Sequence, residues 1–257
     1  MRRVLRIART EILEHRRQPT MILILAANYA LWAFLFGMVF ATLDGAAKRP
    51  EDFELLRQQM AALGVKYDTL LQFATTSFVT LNFADLPLTV AIMSGTSVLH
   101  DRACGTMPFL MLAPLTRRQL LLGKLTGAMA IPLLLHLVFV GVSSLLLSFL
   151  GVLAPYADKF GRSAAWWVAF LVSAPASAAF VGSLGAVISA LSRDIRTSMQ
   201  FTSILVIGLI SPLISLALVQ GMTKGVTLQL VYAGGCLVLT ALTLLVGARQ
   251  ISQDVTA

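Results

Sequence analysis

Charge is scarce in this sequence: 12% of its 257 residues are Asp, Glu, Lys or Arg, against roughly 25% in soluble domains. With 57% hydrophobic residues and a mean hydropathy of +0.82, there is too little polar surface to cover a water-soluble globule. Cysteine is nearly absent. Cys104 and Cys236 lie far apart and form neither a disulfide framework nor a metal-ligand spacing. The histidines His15, His100 and His136 are too scattered for a metal site. No Ser/His/Asp or Cys/His constellation is present in the pattern, so we expect no catalytic, cofactor-binding or metal residues. A phosphate-binding loop is also missing, because Gly123-Lys124 is followed by Leu125 instead of Ser or Thr and has no glycine at the required upstream spacing. Nor is there a cleavable leader pattern. The apolar run begins only near Met21, is too long for a signal segment and lacks a small-residue cleavage site, so the first helix is expected to stay uncleaved.

What the chain does have is long uncharged runs. About 20 apolar residues at 1.5 Å rise cross a ~30 Å hydrocarbon core, and a helix satisfies its own backbone groups where lipid cannot. The runs predict an all-α polytopic membrane protein with about six transmembrane helices, near 21–43, 70–99, 125–150, 165–191, 199–222 and 228–248. Residues 1–20 form a separate unit, an amphipathic interfacial helix ended by Pro19. Its expected apolar face is Val4, Leu5, Ala8 and Ile12, with Arg2, Arg3, Arg6, Arg9 and Arg16 around the other side. Residues 21–257 make up the membrane domain. A short helix is expected at 51–63, between Pro50 and Gly64.

The formal charge of +8 is a membrane signature here. The basic residues flank the runs with no aromatic-interleaved basic domain, which excludes nucleic acid and points to anionic lipid. With the N-terminus inside, thirteen of the 20 Lys and Arg residues fall on inner segments and seven on outer ones. Positive charge favours the cytoplasmic side, so both termini are expected in the cytoplasm, in a cell inner membrane.

Within the runs, Asp85 is the one deep carboxylate, with Asn82 and Pro87 close by. A charge at that depth costs ~2.5–3.5 kcal/mol on insertion scales, so it should face protein or water. It is a candidate polar point on a transport path, or a hydrogen-bonded structural Asp. His136 has the same two readings. Ala174, Ala178, Gly182, Ala186 and Ala190 place a small residue at every fourth position, a pattern for close helix packing. Trp166 and Trp167 suit an interfacial anchor.

The stretch that carries most information is 100–124, HDRACGTMPFLMLAPLTRRQLLLGK, between the second and third runs. A plain helix connection needs only ~2–8 residues. This one is longer and amphipathic, broken by Gly105 and Pro114 into a turn, a short apolar helix and a basic helical start. Keeping Phe109, Leu110, Met111 and Leu112 outside the bilayer requires a surface to cover them.

Asp101, Arg102, Gly105, Thr106, Leu112, Pro114, Leu122, Gly123 and Lys124 together resemble the cytoplasmic loop of ABC type-2 exporter permeases. GAVISALSRDIRTSMQ, residues 185–200, is similar to the end of that family's fourth span and the basic loop after it. The basic N-terminus also fits. The resemblance implies a permease that dimerises, as homo- or heterodimer, and works with an ABC ATPase subunit that carries the ATP and Mg. It implies a coupling element at 100–124 seated on that ATPase, with Asp101, Arg102, Gly105, Thr106, Phe109, Leu112, Pro114, Arg117, Arg118 and Lys124 as its residues. No enzyme activity is expected in this chain. The substrate class implied is hydrophobic or amphiphilic. A haem-exporter-like permease is a close variant. The alternatives from other classes are a non-transporting or mechanotransmitting scaffold for an ATPase, and an ion-coupled secondary carrier using Asp85.

Overall fold

A computed structural model describes residues 2–16, 19–48, 67–149, 164–192, 194–204 and 226–254, together with 51, 54 and 58. Among these the backbone is helical and contains no strand. Helix α1 (Arg2–Arg16) is followed by α2 (Pro19–Lys48) and α3 (Tyr67–Ala103). The short α4 (Met107–Leu112) precedes α5 (Arg117–Phe149). Next come α6 (Ala164–Val168), a π-helical turn (Ala169–Ser173), α7 (Ala174–Leu191), α8 (Ile195–Ser203) and α9 (Val226–Asp254).

Among the described residues, three helices are long and apolar enough to cross a membrane, over Arg117–Val142, Ala169–Leu191 and Val226–Arg249. The runs at 21–43 and 70–99 lie on α2 and α3, which are helical throughout. Most of the run at 199–222, the inner part of the 51–63 helix and the segment around 151–163 lie outside the described residues. Only 28% of the apolar stretch of α9 is buried within the chain. Its exposed Val231, Leu237, Val238, Leu242 and Val246 need an apolar solvent, which water is not and a bilayer is.

Helices α3 and α7 form the centre of the bundle, because small residues let them approach. Ala174, Ala178, Gly182, Ala186 and Ala190 are all buried inside the chain. A Cβ on Gly182 would meet Val90 and Leu125 side-chain carbons at 2.7 Å, and one on Gly185 would meet the Ala91 carbonyl oxygen at 2.8 Å. Leu86, Val90, Ala91, Val98, Leu121, Leu125 and Val181 fill the space around this crossing. The π turn ends two residues before Pro175. Proline has no N–H for the residue 171 carbonyl and its ring crowds that oxygen, and a widened turn at this place accommodates both.

Helix α1 is positioned by a glycine notch. A Cβ on Gly123 would sit 2.6 Å from the Ile7 Cβ, and one on Gly127 2.4 Å from the Glu11 Cβ, so α1 and α5 meet nearly backbone to backbone. The buried face is therefore Ile7, Ala8, Glu11 and His15. Of the four residues of the expected apolar face, Ala8 is buried, Val4 and Ile12 are half-buried and Leu5 is 56% exposed. The notch on α5, not the density of apolar residues on α1, decides which side turns inward.

Candidate functional site

The segment between α3 and α5 is held at both ends by hydrogen bonds that its sequence encodes. Gly105 ends α3 with φ of +69°, the left-handed conformation that glycine adopts without a Cβ clash. Around it, the Thr106 N–H donates to the Asp101 carbonyl at 2.9 Å and the Gly105 N–H to the Arg102 carbonyl at 3.1 Å, a Schellman cap. Pro108 falls within the first turn of α4, where a missing N–H costs nothing. At the far end Thr116 and Gln119 form a reciprocal capping box: the Gln119 N–H donates to Thr116 Oγ1 at 3.2 Å, and the Thr116 N–H to Gln119 Oε1 at 3.1 Å. Helix α5 thus begins at Arg117, and residues 100–103 and 117–124 of the expected loop are helical.

Two arginines tie this segment to other elements. Arg3 of α1 donates to the Pro114 carbonyl. Arg102 donates to the Ala190 carbonyl at 2.7 Å and the Ser192 carbonyl at 3.2 Å, satisfying the C-terminal end of α7. Beyond it, Asp194 caps α8 by accepting from the Thr197 N–H at 2.7 Å. This bond to a backbone donor holds the carboxyl below its ordinary range.

Helix α4 is divided by side. Met107 is buried and Leu110 packs partly against the core, anchoring the helix. Phe109 is 74% exposed and Leu112 83% exposed, on the side turned away from the bundle. Pro114 and Arg118 are also exposed, and Arg117 is half-buried.

Asp101 and Lys124 point the other way. The Lys124 ammonium is buried, with Nζ 2.6 Å from Glu11 Oε2 and 2.6 Å from Asp101 Oδ2. It also donates to the Ser97 carbonyl at 3.3 Å. Asp101 Oδ1 in turn accepts from the Thr106 hydroxyl at 3.2 Å. One ammonium therefore joins α1, α3 and α5 at the root of the loop. Burial, with Asp101 competing for the same cation, pushes the Glu11 carboxyl up to about 7 despite the lowering effect of Lys124. His15, 4.0 Å from Glu11, is lowered to about 4 by burial and by the Lys124 charge, so it stays neutral at physiological pH.

The structure thus separates the residues expected at the coupling element. Phe109, Leu112, Pro114 and Arg118 lie on an outward surface. Gly105 and Thr106 shape the turn. Asp101, Arg102 and Lys124 bind the segment to the bundle. Sequence reasoning missed Glu11 as the third member. Its signal was available: an acidic residue in register with Ile7, Ala8 and His15 along α1. The capping box T-x-x-Q was equally legible and was passed over.

On the apolar run of α3, Asp85 is buried and accepts from the Asn28 side-chain nitrogen at 2.7 Å, which joins α2 to α3. The Tyr29 ring beside it packs on Phe139 at 5.4 Å. Pro87 is buried in α3, and the Asn82 side chain lies outside the described residues. His136 is fully buried, stacked at 5.9 Å on Phe170 of the π turn. Trp167 is partly exposed, and the Trp166 side chain lies outside the described residues. Among the described residues no group of three or more His, Cys, Asp or Glu side chains is placed to hold a metal.

A family model described as ABC-2 family transporter protein matches residues 5–253. No curated protein and no solved structure matches the chain.

Proposed function

The chain belongs to the ABC-2 transporter family, a multi-pass membrane permease component and not itself a catalyst, and from that premise we propose that it is the transmembrane subunit of an ATP-driven exporter. Its ATPase is a separate polypeptide that binds ATP and Mg and docks on the loop between α3 and α5. The observation that carries the proposal is α4. Phe109 and Leu112 are exposed on a helix outside the apolar spans, while Met107, Arg102 and the caps at Gly105 and Thr116 hold that helix firmly to the bundle. A rigid mount under an uncovered apolar pair suits force transfer from a soluble partner better than it suits a passive linker.

In this reading the chain spans the inner membrane about six times with both termini in the cytoplasm, as the distribution of Lys and Arg favours. A second copy or a related permease completes the transport path, and the lipid-facing α9 surface is available for that contact. The substrate is hydrophobic or amphiphilic, in keeping with apolar helix surfaces that expose few polar groups. Asp85, fixed by Asn28, is a polar point within the membrane region beside that path.

Co-purification tests the proposal. Tagged chain expressed with a candidate ABC ATPase subunit should bring that ATPase down, and candidate amphiphiles should raise hydrolysis in proteoliposomes. An ATPase that neither binds nor responds would leave the scaffold or carrier readings in its place.

A further inference from the structure

We infer that Glu11 and Lys124, with Asp101, are positioning residues for coupling: one buried ammonium shared by two carboxylates fastens α1 to both ends of the α3–α5 loop, so loop and α1 move as one body. The inference rests on the proposed docking of an ATPase at α4.

The geometry makes the case. Asp101 lies just before the loop and Lys124 just after it, and their ion pair at 2.6 Å closes the loop at its root. Glu11 reaches the same ammonium at 2.6 Å from a helix 113 residues away in sequence. The Arg3 bond to the Pro114 carbonyl adds a second tie from α1 to the far side of the loop. Below these ties, Gly123 and Gly127 let α1 lie against the α5 backbone. A push on Phe109 and Leu112 is therefore delivered to α1 and α5 together, and cannot be absorbed by rotation of α4 alone.

The charge count gives the clamp a property that packing alone lacks. Two buried carboxylates face one ammonium, so the ionised cluster carries one uncompensated negative charge. Glu11 faces Lys124 from α5, Asp101 from α3, and Glu14 and His15 from α1. His15, held neutral, also faces Lys124 and, from α3, His100. Burial pushes Glu11 to about 7, so a proton on Glu11 leaves a neutral Lys124–Asp101 pair. Through Glu11 the docked α1 is favoured on the acid side, and that contribution is lost as pH rises from about 4.5 to about 7, while His15 contributes with the opposite sign.

The test uses the full chain with its ATPase in proteoliposomes, comparing wild type, Glu11→Ala and Glu11→Gln for retained ATPase and for substrate-stimulated hydrolysis. Glu11→Ala should keep the ATPase bound, since α4 is untouched, yet lose stimulation by about tenfold, the lower end for one charge-assisted hydrogen bond. Glu11→Gln should restore stimulation. It should also flatten the dependence on pH between about 4.5 and 7, measured as the ratio of wild type to variant so that the ATPase's own profile cancels. Unchanged stimulation in Glu11→Ala would overturn the inference. Should that variant not accumulate, a Glu11→Gln profile that still follows wild type would overturn it equally. Loss of the ATPase from wild type itself would instead count against the docking proposal.

Discussion

Lys124→Met removes the cation from a cluster that leaves no room for compensation. Both carboxylates lie 2.6 Å from Nζ, and all three residues are almost completely buried. Methionine fills much the same volume, so packing is nearly conserved and the effect is electrostatic. Removing one member of a buried ion pair costs about 3–5 kcal/mol. The assay is reversible denaturant unfolding of the purified chain in detergent at pH 7. Lys124→Met should lose about 3–5 kcal/mol, and adding Asp101→Asn should recover most of it, because the remaining Glu11 can be neutralised at small cost. A loss below about 1 kcal/mol, or no recovery in the double variant, would refute the argument that Lys124 is there to balance these two charges.

Gly127→Ala should cost about 1–3 kcal/mol by overpacking, since its Cβ would lie 2.4 Å from the Glu11 Cβ, whereas Gly141→Ala, with nothing within 4 Å, should be neutral or stabilising in the same unfolding assay. Relative to Glu11→Gln titrated in parallel, wild type should lose on the order of 2–3 kcal/mol as pH rises from about 4.5 to about 7, because the folded carboxyl of Glu11 is raised and holds its proton more tightly than the unfolded one. His15, lowered to about 4, makes stability rise with pH over the same range in both proteins and cancels in that difference. Asp85→Asn keeps the shape and the contact with Asn28 while removing the charge, so assembly should persist and substrate-stimulated hydrolysis should change; transport identical to wild type across pH would leave Asp85 a purely structural role. For topology, a cysteine at Ala164 should react with an impermeant probe from outside and one at Arg118 only after permeabilisation, the reverse pattern contradicting cytoplasmic termini.

Helix content was legible in the sequence because membrane helices are written in long runs of one chemistry. The α2, α3, α5, α7 and α9 helices follow those runs closely. The small-residue ladder on α7 was equally legible, and its burial follows from the sterics of Gly182 and Gly185. The break points of the loop, Gly105 and Pro114, also fall where backbone chemistry puts them. The orientation of polar side chains within the loop was not legible. Asp101 and Lys124 are separated by 23 positions and Glu11 lies far upstream, so their meeting depends on how α1 crosses α5. That crossing is set by Gly123 and Gly127, whose role is visible only once a second helix is laid across them. For the same reason the side of α1 that packs on α5 was not legible: it carries Glu11, satisfied by Lys124, while Leu5 stays exposed.

Docking of the ATPase on α4 is tested most directly by truncating Phe109 and Leu112 together and measuring affinity for the ATPase. Because the two side chains are 74% and 83% exposed, Phe109→Ala/Leu112→Ala should leave unfolding of the isolated chain unchanged. If both are covered at the contact, about 1.5–3 kcal/mol per large apolar side chain gives an upper range of about 3–6 kcal/mol of lost affinity, or roughly two to four decades in Kd. Reversing the charge of Arg118 should change it by about 1 kcal/mol at most, since an exposed pair contributes little. The account predicts a folded, membrane-inserted double variant that no longer retains its ATPase or its substrate-stimulated hydrolysis. Wild-type affinity together with wild-type transport would contradict it.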